Sequence, residues 1–137
     1  MSDTTPTANS EVTVLGWVIP RPTGRWHQSI IVTARHVVIT PELTFANNEL
    51  LVSAAEQGHE PFYAFLRSAG WKSQPQRCEL AEVRGVDWND MTGWMRIAGG
   101  GDTVIGAMIP NRDVGTALKP RLKHAIASRV AKRPDRT

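Results

Sequence analysis

Four histidines, one cysteine and a close pair of aspartates are the residues of this 137-residue chain whose types could do chemistry. His27, His36, His59 and His124 show no paired spacing, and Cys78 stands alone. A zinc site needs three or four converging His, Cys or carboxylate ligands, usually delivered as closely spaced pairs. No metal site is therefore predicted. No sequence neighbour marks Cys78 as an activated thiolate. Asp87 and Asp90 flank Trp88 and Asn89 in a turn-like stretch, where Asp and Asn bond their own backbone, so a turn is expected there rather than acid–base work. Gly99, Gly100 and Gly101 are followed by Asp102. A phosphate cradle needs a Lys and a Ser or Thr after its last glycine and then a helix. Neither follows, and the glycines read as the positive-φ residues of a tight hairpin. No cofactor is predicted.

Charge is informative once it is divided along the chain. Residues 1–118 carry nine Lys or Arg against twelve Asp or Glu, and residues 119–137 carry seven against one, so the net +3 is a −3 body joined to a +6 end. Such asymmetry points to an acidic partner, of which nucleic acid is the commonest case. Five tryptophans are the other unusual feature. Indoles fill cores and also anchor binding surfaces. The hydrophobic fraction of 41% and charged fraction of 21% are those of a globular chain, and 137 residues suit one domain. The lone cysteine fits a reducing compartment, which predicts a cytoplasmic protein. No apolar run approaches the ~20 residues of a membrane span, so no membrane partner is expected.

These residues must be held by elements that periodicity outlines. Residues 1–10 read as a polar tail and residues 132–137 as a basic one, around a globular domain at 11–131. Val12 to Ile19 is apolar on both parities, as in a strand covered on both faces. After a turn at Pro20, Pro22 and Gly24, residues Gln28 to Ile39 read as one long strand pairing with it. On that strand His36 falls on the even, more apolar face with Ile30, Val32, Ala34 and Val38, which predicts a core histidine. Thr40 can cap a helix from Pro41 to Gln57, with Leu43, Ala46, Leu50 and Ala54 as its buried stripe. A second helix opens at Pro61 and closes at Gly70, burying Phe62, Phe65, Leu66 and Ala69. Three strands at 79–86, 92–98 and 103–109 form a meander. A last helix runs from about Lys119 to Ala131, with Leu122, Ile126 and Val130 facing the sheet. The expected architecture is α+β, ββααβββα, a mostly antiparallel five-stranded sheet with the helices packed on one face.

One fragment bears on catalysis. Val-Thr-Ala-Arg-His-Val-Val at 32–38 resembles the segment carrying the catalytic histidine of trypsin-like serine proteases, with Gly16 to Ile19 similar to the strand before it. That resemblance implies His36 as the general base and Asp90, later in the chain as the family requires, as its acid. The family also needs a nucleophilic serine in a glycine-rich loop with an oxyanion hole. The only serine after Asp90 is Ser128, inside the expected basic helix, so the triad has no suitable nucleophile.

Two functional expectations follow. The first is a non-catalytic interaction, assembly or accessory module, the inhibitory class included, that engages an acidic protein partner. Arg121, Lys123, Arg129, Lys132 and Arg133 supply the attraction, and Trp26, Trp71 and Trp88, all in polar or turn-rich surroundings, supply the anchors. The alternative is a nucleic-acid-binding protein that uses the same basic helix on phosphates and the tryptophans on bases. No helix-turn-helix, zinc-finger, RNA-recognition or bZIP signature is present, and the protein partner is favoured.

Overall fold

The computed structural model describes residues 12–69 and 74–131. Strands β1 (Thr13–Arg21), β2 (Gly24–Val32) and β3 (His36–Ile39) lead into helices α1 (Phe45–Gln57) and α2 (His59–Ser68). Strand β4 (Gln76–Glu79) and a short 3-10 turn (Leu80–Glu82) follow. The chain then runs through β5 (Gly85–Asn89), β6 (Trp94–Ala98), β7 (Val104–Met108) and α3 (Arg112–Ala131).

The broad class is α+β with antiparallel sheets, but the single five-stranded sheet is not what forms. The described residues form two sheets, one of order β1-β2-β3-β4 and one of order β5-β6-β7. Part of the difference arises at residues 33–35, where the expected long strand turns back on itself. The Thr33 hydroxyl accepts hydrogen bonds from the amides of Arg35, at 3.0 Å, and His36, at 2.8 Å. That turn folds β3 against β2, with Ile31 opposite Val38. The rest arises at 79–86, where the expected strand divides into the end of β4, the 3-10 turn and the start of β5.

The reversal at residue 33 also changes which face each side chain occupies. Ile30, Val32, Val37 and Ile39 enter one core with Leu118 and Leu122 of α3. Ile31 and Val38 enter a second core with Leu51, Ala55 and Phe62 of α1 and α2. Helices therefore cover both faces of the first sheet, which corrects the expectation of helices on one face. The physical reason is that β2 and β3 are apolar on both parities: Ile30, Ile31, Val32 and Val37 all have 0% exposure. A strand of that kind must be roofed twice.

Helix boundaries shift for tertiary reasons. Thr40 does not cap a helix, because its hydroxyl accepts the Ser29 amide at 3.1 Å. Leu43 then exchanges two backbone hydrogen bonds with His27, extending the sheet past the end of β3. The α1 cap is instead Thr44, whose side chain accepts from the Asn47 amide. Its buried residues are Leu51, Ala54 and Ala55, while Leu50 is left 57% exposed. The start of α3 lies seven residues before the expected Lys119, because the Asn111 side chain accepts the amides of Asp113 and Val114. Pro120 then falls inside the helix.

The two sheets meet through a side chain. Gln76 at the start of β4 donates from Nε2 to the Gly106 carbonyl, at 2.8 Å, and accepts from the Gly106 amide on Oε1, at 3.0 Å. This pair runs the lateral order as β1-β2-β3-β4, then β7-β6-β5. Helix α3 packs against β1 and β5, the two ends of that order, and fills the space between them.

Candidate functional site

Local geometry at His36 is the richest polar arrangement among the described residues. His36 opens β3 and pairs with Glu79 of β4. The expectation of a core histidine follows from its face in the unbroken strand. In the folded chain, its side chain is 15% exposed and points with Val38 toward α2. Its Nε2 lies 3.2 Å from Glu79 Oε2, and its Nδ1 meets the Tyr63 hydroxyl. That hydroxyl lies 3.0 Å from Thr33 Oγ1. The His59 ring packs on Tyr63 at 4.8 Å between centroids.

The directions of these bonds follow from what each group can do. A carboxylate can only accept, so His36 carries its hydrogen on Nε2 and donates to Glu79. The bare Nδ1 then accepts from the Tyr63 hydroxyl. Thr33 Oγ1 has both lone pairs occupied by the amides of Arg35 and His36, so its one hydrogen is shared between the Tyr63 oxygen at 3.0 Å and the His36 carbonyl at 3.3 Å. The chain Thr33 to Tyr63 to His36 to Glu79 is directional and complete with a neutral imidazole. Burial holds the His36 value below the ordinary one near 6.5; Glu79 opposes this, and Arg77 and Arg35 reinforce it. Burial likewise raises Tyr63, keeping its hydroxyl protonated as a donor.

These occupancies bear directly on the protease-like fragment. Both ring nitrogens of His36 are engaged within the protein, so neither faces a nucleophile. The acid beside it is Glu79, while Asp90 lies in the turn between β5 and β6 of the other sheet. Ser128 lies on α3. The local resemblance at 32–38 thus covers a histidine used to hold α2 on the sheet. Cys78 sits in the main core, and burial raises its thiol. Among the described residues, no group of three or more His, Cys, Asp or Glu is placed to hold a metal ion.

The basic helix is arranged differently on its two sides. Arg121, Lys123 and His124 are exposed, and neither Arg121 nor Lys123 forms an ion pair among the described residues. Arg129 is 7% exposed, and its guanidinium donates to Thr13 Oγ1 at 3.1 Å. It belongs to the packing of α3 on β1 rather than to an outward surface. A groove of about 490 Å³ runs between β1 and α3, lined by Leu15, Arg121, His124 and Ser128 among others. Lys132 and Arg133 lie outside the described residues.

No relative identifies this chain. It matches no protein-family model, no curated protein and no solved structure.

The tryptophans are dispersed. Trp26 is partly buried and lines a cleft of about 790 Å³ with Gln28, Leu43, Asn47, Leu50 and Phe65. Trp26 pairs with Ile19 near one end of β1, whereas Thr13 in the α3 groove stands at the other. Six residues of strand separate them, roughly 20 Å. Trp88 is partly buried, and its Nε1 donates to Thr116 Oγ1 at 3.2 Å, so it fastens α3 to the second sheet. Trp71 lies outside the described residues. An exposed indole that the sequence reading passed over is Trp94, opposite Met108 on the outer face of β6 and β7. Strand parity was the available signal, since Met95 and Ile97 alternate with it and are buried. Glu79 and Tyr63 were also missed, and no local signal marks them: they reach His36 across 43 and 27 residues of chain.

Proposed function

We propose that this protein is a non-catalytic interaction module that receives an acidic protein partner on the outward face of α3. The observation that carries the reading is the unpaired state of Arg121 and Lys123 among the described residues, on a helix whose only acid within the described span is Asp113. Exposed, unneutralised cations gathered on one element create a local positive potential that attracts and orients an anionic surface.

The protein partner is favoured over nucleic acid because the positive charge is local. Residues 1–118 carry a net −3, so a polyanion tracking across the body meets net repulsion beyond α3, while a compact acidic patch does not. Arg129 serves the fold, and Trp26 stands about 20 Å along the sheet from the groove. The proposed contact surface is thus narrower than the full set of basic and indole residues: Arg121 and Lys123, with His124 beside them.

The test is affinity capture with the purified protein under nuclease treatment, in parallel with titrations of polyglutamate and of mixed-sequence RNA and DNA. A nuclease-resistant complex and salt-sensitive polyglutamate binding, both weakened severalfold in the Arg121→Ala/Lys123→Ala variant, are expected. Equal capture by wild type and variant would overturn the surface. Tight nucleic-acid binding with a steep salt slope would transfer the same surface to phosphates.

A further inference from the structure

We infer that Thr33, Tyr63, His36 and Glu79 form a proton-operated latch that holds α2 on the first sheet and thereby sets the mouth of the Trp26 cleft. The middle and the C-terminal end of α2 carry the two halves of this inference. Tyr63, in its first half, joins the latch, whereas Phe65, Ser68 and Ala69, at its far end, line the cleft. Tyr63 is the fifth residue of the ten-residue helix, so a change in how it is held reaches Ser68 along about one and a half turns of rigid rod.

Protonation of His36 acts on the chain of donors as follows. A proton from solvent adds to Nδ1, which changes from acceptor to donor. The Tyr63 hydrogen must leave that nitrogen, and its other neighbour, Thr33 Oγ1, already accepts two backbone amides. The buried Nε2 without a partner on the His59 ring that packs on Tyr63 belongs to α2 itself, so a phenolic hydrogen turned that way no longer ties the helix to the sheet. One interhelix-to-sheet hydrogen bond is lost, and Tyr63 and His36 then present donors to each other unless the phenol rotates.

The groups facing His36 decide which form the fold favours. From β4 come Glu79, which favours the cation, and Arg77, which opposes it. The turn after β2 brings Arg35, also opposing. Tyr63 and His59 approach from α2, and His59 is itself held below its ordinary value, mainly by burial. Glu79 is 60% exposed, so water screens its pull on the cation. The remaining neighbours and the burial of the ring all favour neutrality, which is the latched state. Phe62, wholly buried beneath α2, keeps the helix attached when the latch opens, so the opening is a local loosening and not an unfolding.

Nuclear magnetic resonance on the intact protein tests this in three readings. At pH 7.5 the His36 ring nitrogens should show the neutral tautomer protonated on Nε2. As the His36 ring nitrogens titrate, with a midpoint below the ordinary value near 6.5, amide exchange within 60–68, corrected for intrinsic rates, should become roughly five- to tenfold faster, the effect of losing one internal hydrogen bond. The Trp26 indole resonance should move with the same midpoint. In a His59→Gln background, which removes the second depressed histidine from α2, Tyr63→Phe, which keeps the ring packing, and His36→Gln should each abolish the pH dependence of α2 exchange. A proton on Nδ1 at pH 7.5, unchanged α2 exchange, a static Trp26 signal, or a pH response retained in either variant would overturn the latch.

Discussion

Gln76 and Gly106 exchange a reciprocal pair of hydrogen bonds, side-chain amide to backbone peptide, across the seam between the two sheets. The Gln76 amide reproduces what a neighbouring strand would offer to β7, a donor and an acceptor in register. Replacing Gln76 by Ala leaves the Gly106 amide and carbonyl without these partners at a half-buried site, which is expected to lower stability by about 1–3 kcal/mol. Gln76→Glu keeps the acceptor and loses the donor, and should fall between the two. Urea unfolding midpoints at constant slope measure the order.

Gly115 lies directly beneath the Trp88 ring. A Cβ built at that position would stand 2.2 Å from the indole, far inside van der Waals contact. Alanine ordinarily stabilises a helix interior by about 1 kcal/mol over glycine. Here the overlap should reverse the sign, with Gly115→Ala destabilising by about 1–3 kcal/mol as the ring is displaced. A Gly115→Ala/Trp88→Phe double variant should recover part of the loss, because the smaller ring relieves the overlap. Thermal unfolding of the three variants gives the cycle.

Arg121 and Arg129 differ by two turns on α3 but should behave in opposite ways. Arg121→Ala should leave stability within about 0.5 kcal/mol of wild type and weaken partner binding. Arg129→Ala removes a buried guanidinium that donates to Thr13, and should cost about 1–3 kcal/mol of stability. Denaturation curves and binding titrations on the same preparations separate the two effects.

Stability should fall on the acid side at a defined point. His36 and His59 both have folded-state values depressed chiefly by burial, so the folded protein binds fewer protons than the unfolded chain. Their contribution is complete above the ordinary histidine value near 6.5 and is lost as pH falls through that value toward the folded ones. On the alkaline side Cys78 and Tyr63 are raised by burial, and their contribution declines once pH passes their ordinary values. Unfolding free energy measured from pH 5 to 10 should form a dome, and His36→Gln should flatten its acid limb.

Much of the secondary structure is legible in the chain itself. The strand at 12–19, the strands at 92–98 and 103–109 and the glycine turn between them depend on neighbours in sequence, although β1 is not covered on both faces as its apolar pattern predicts: Leu15, Trp17 and Ile19 are buried while Gly16 and Val18 face outward. Gly101 does take a positive φ of 60°, as the turn chemistry requires. The charge division at residue 118 and the apolar stripe of Leu122 and Ile126 likewise need no tertiary information, and both residues are buried.

Tertiary structure decided whatever depended on a partner distant in the chain. Thr40 has the composition of a helix cap, yet Ser29 claims its hydroxyl, and the sheet wins because it also satisfies the backbone of Leu43. Arg129 looks like its neighbour Arg121 in sequence, and only the approach of β1 makes it internal. His36 sits in a protease-like string, but its chemistry is set by Glu79 and Tyr63, which local pattern cannot place beside it. Periodicity and capping describe a residue by its own type and its near neighbours, whereas a proton's location depends on which donors and acceptors folding brings within 3 Å or so; the sequence by itself determined the elements and the charge they carry, and only their packing decided which polar groups are consumed by the fold and which remain for a partner.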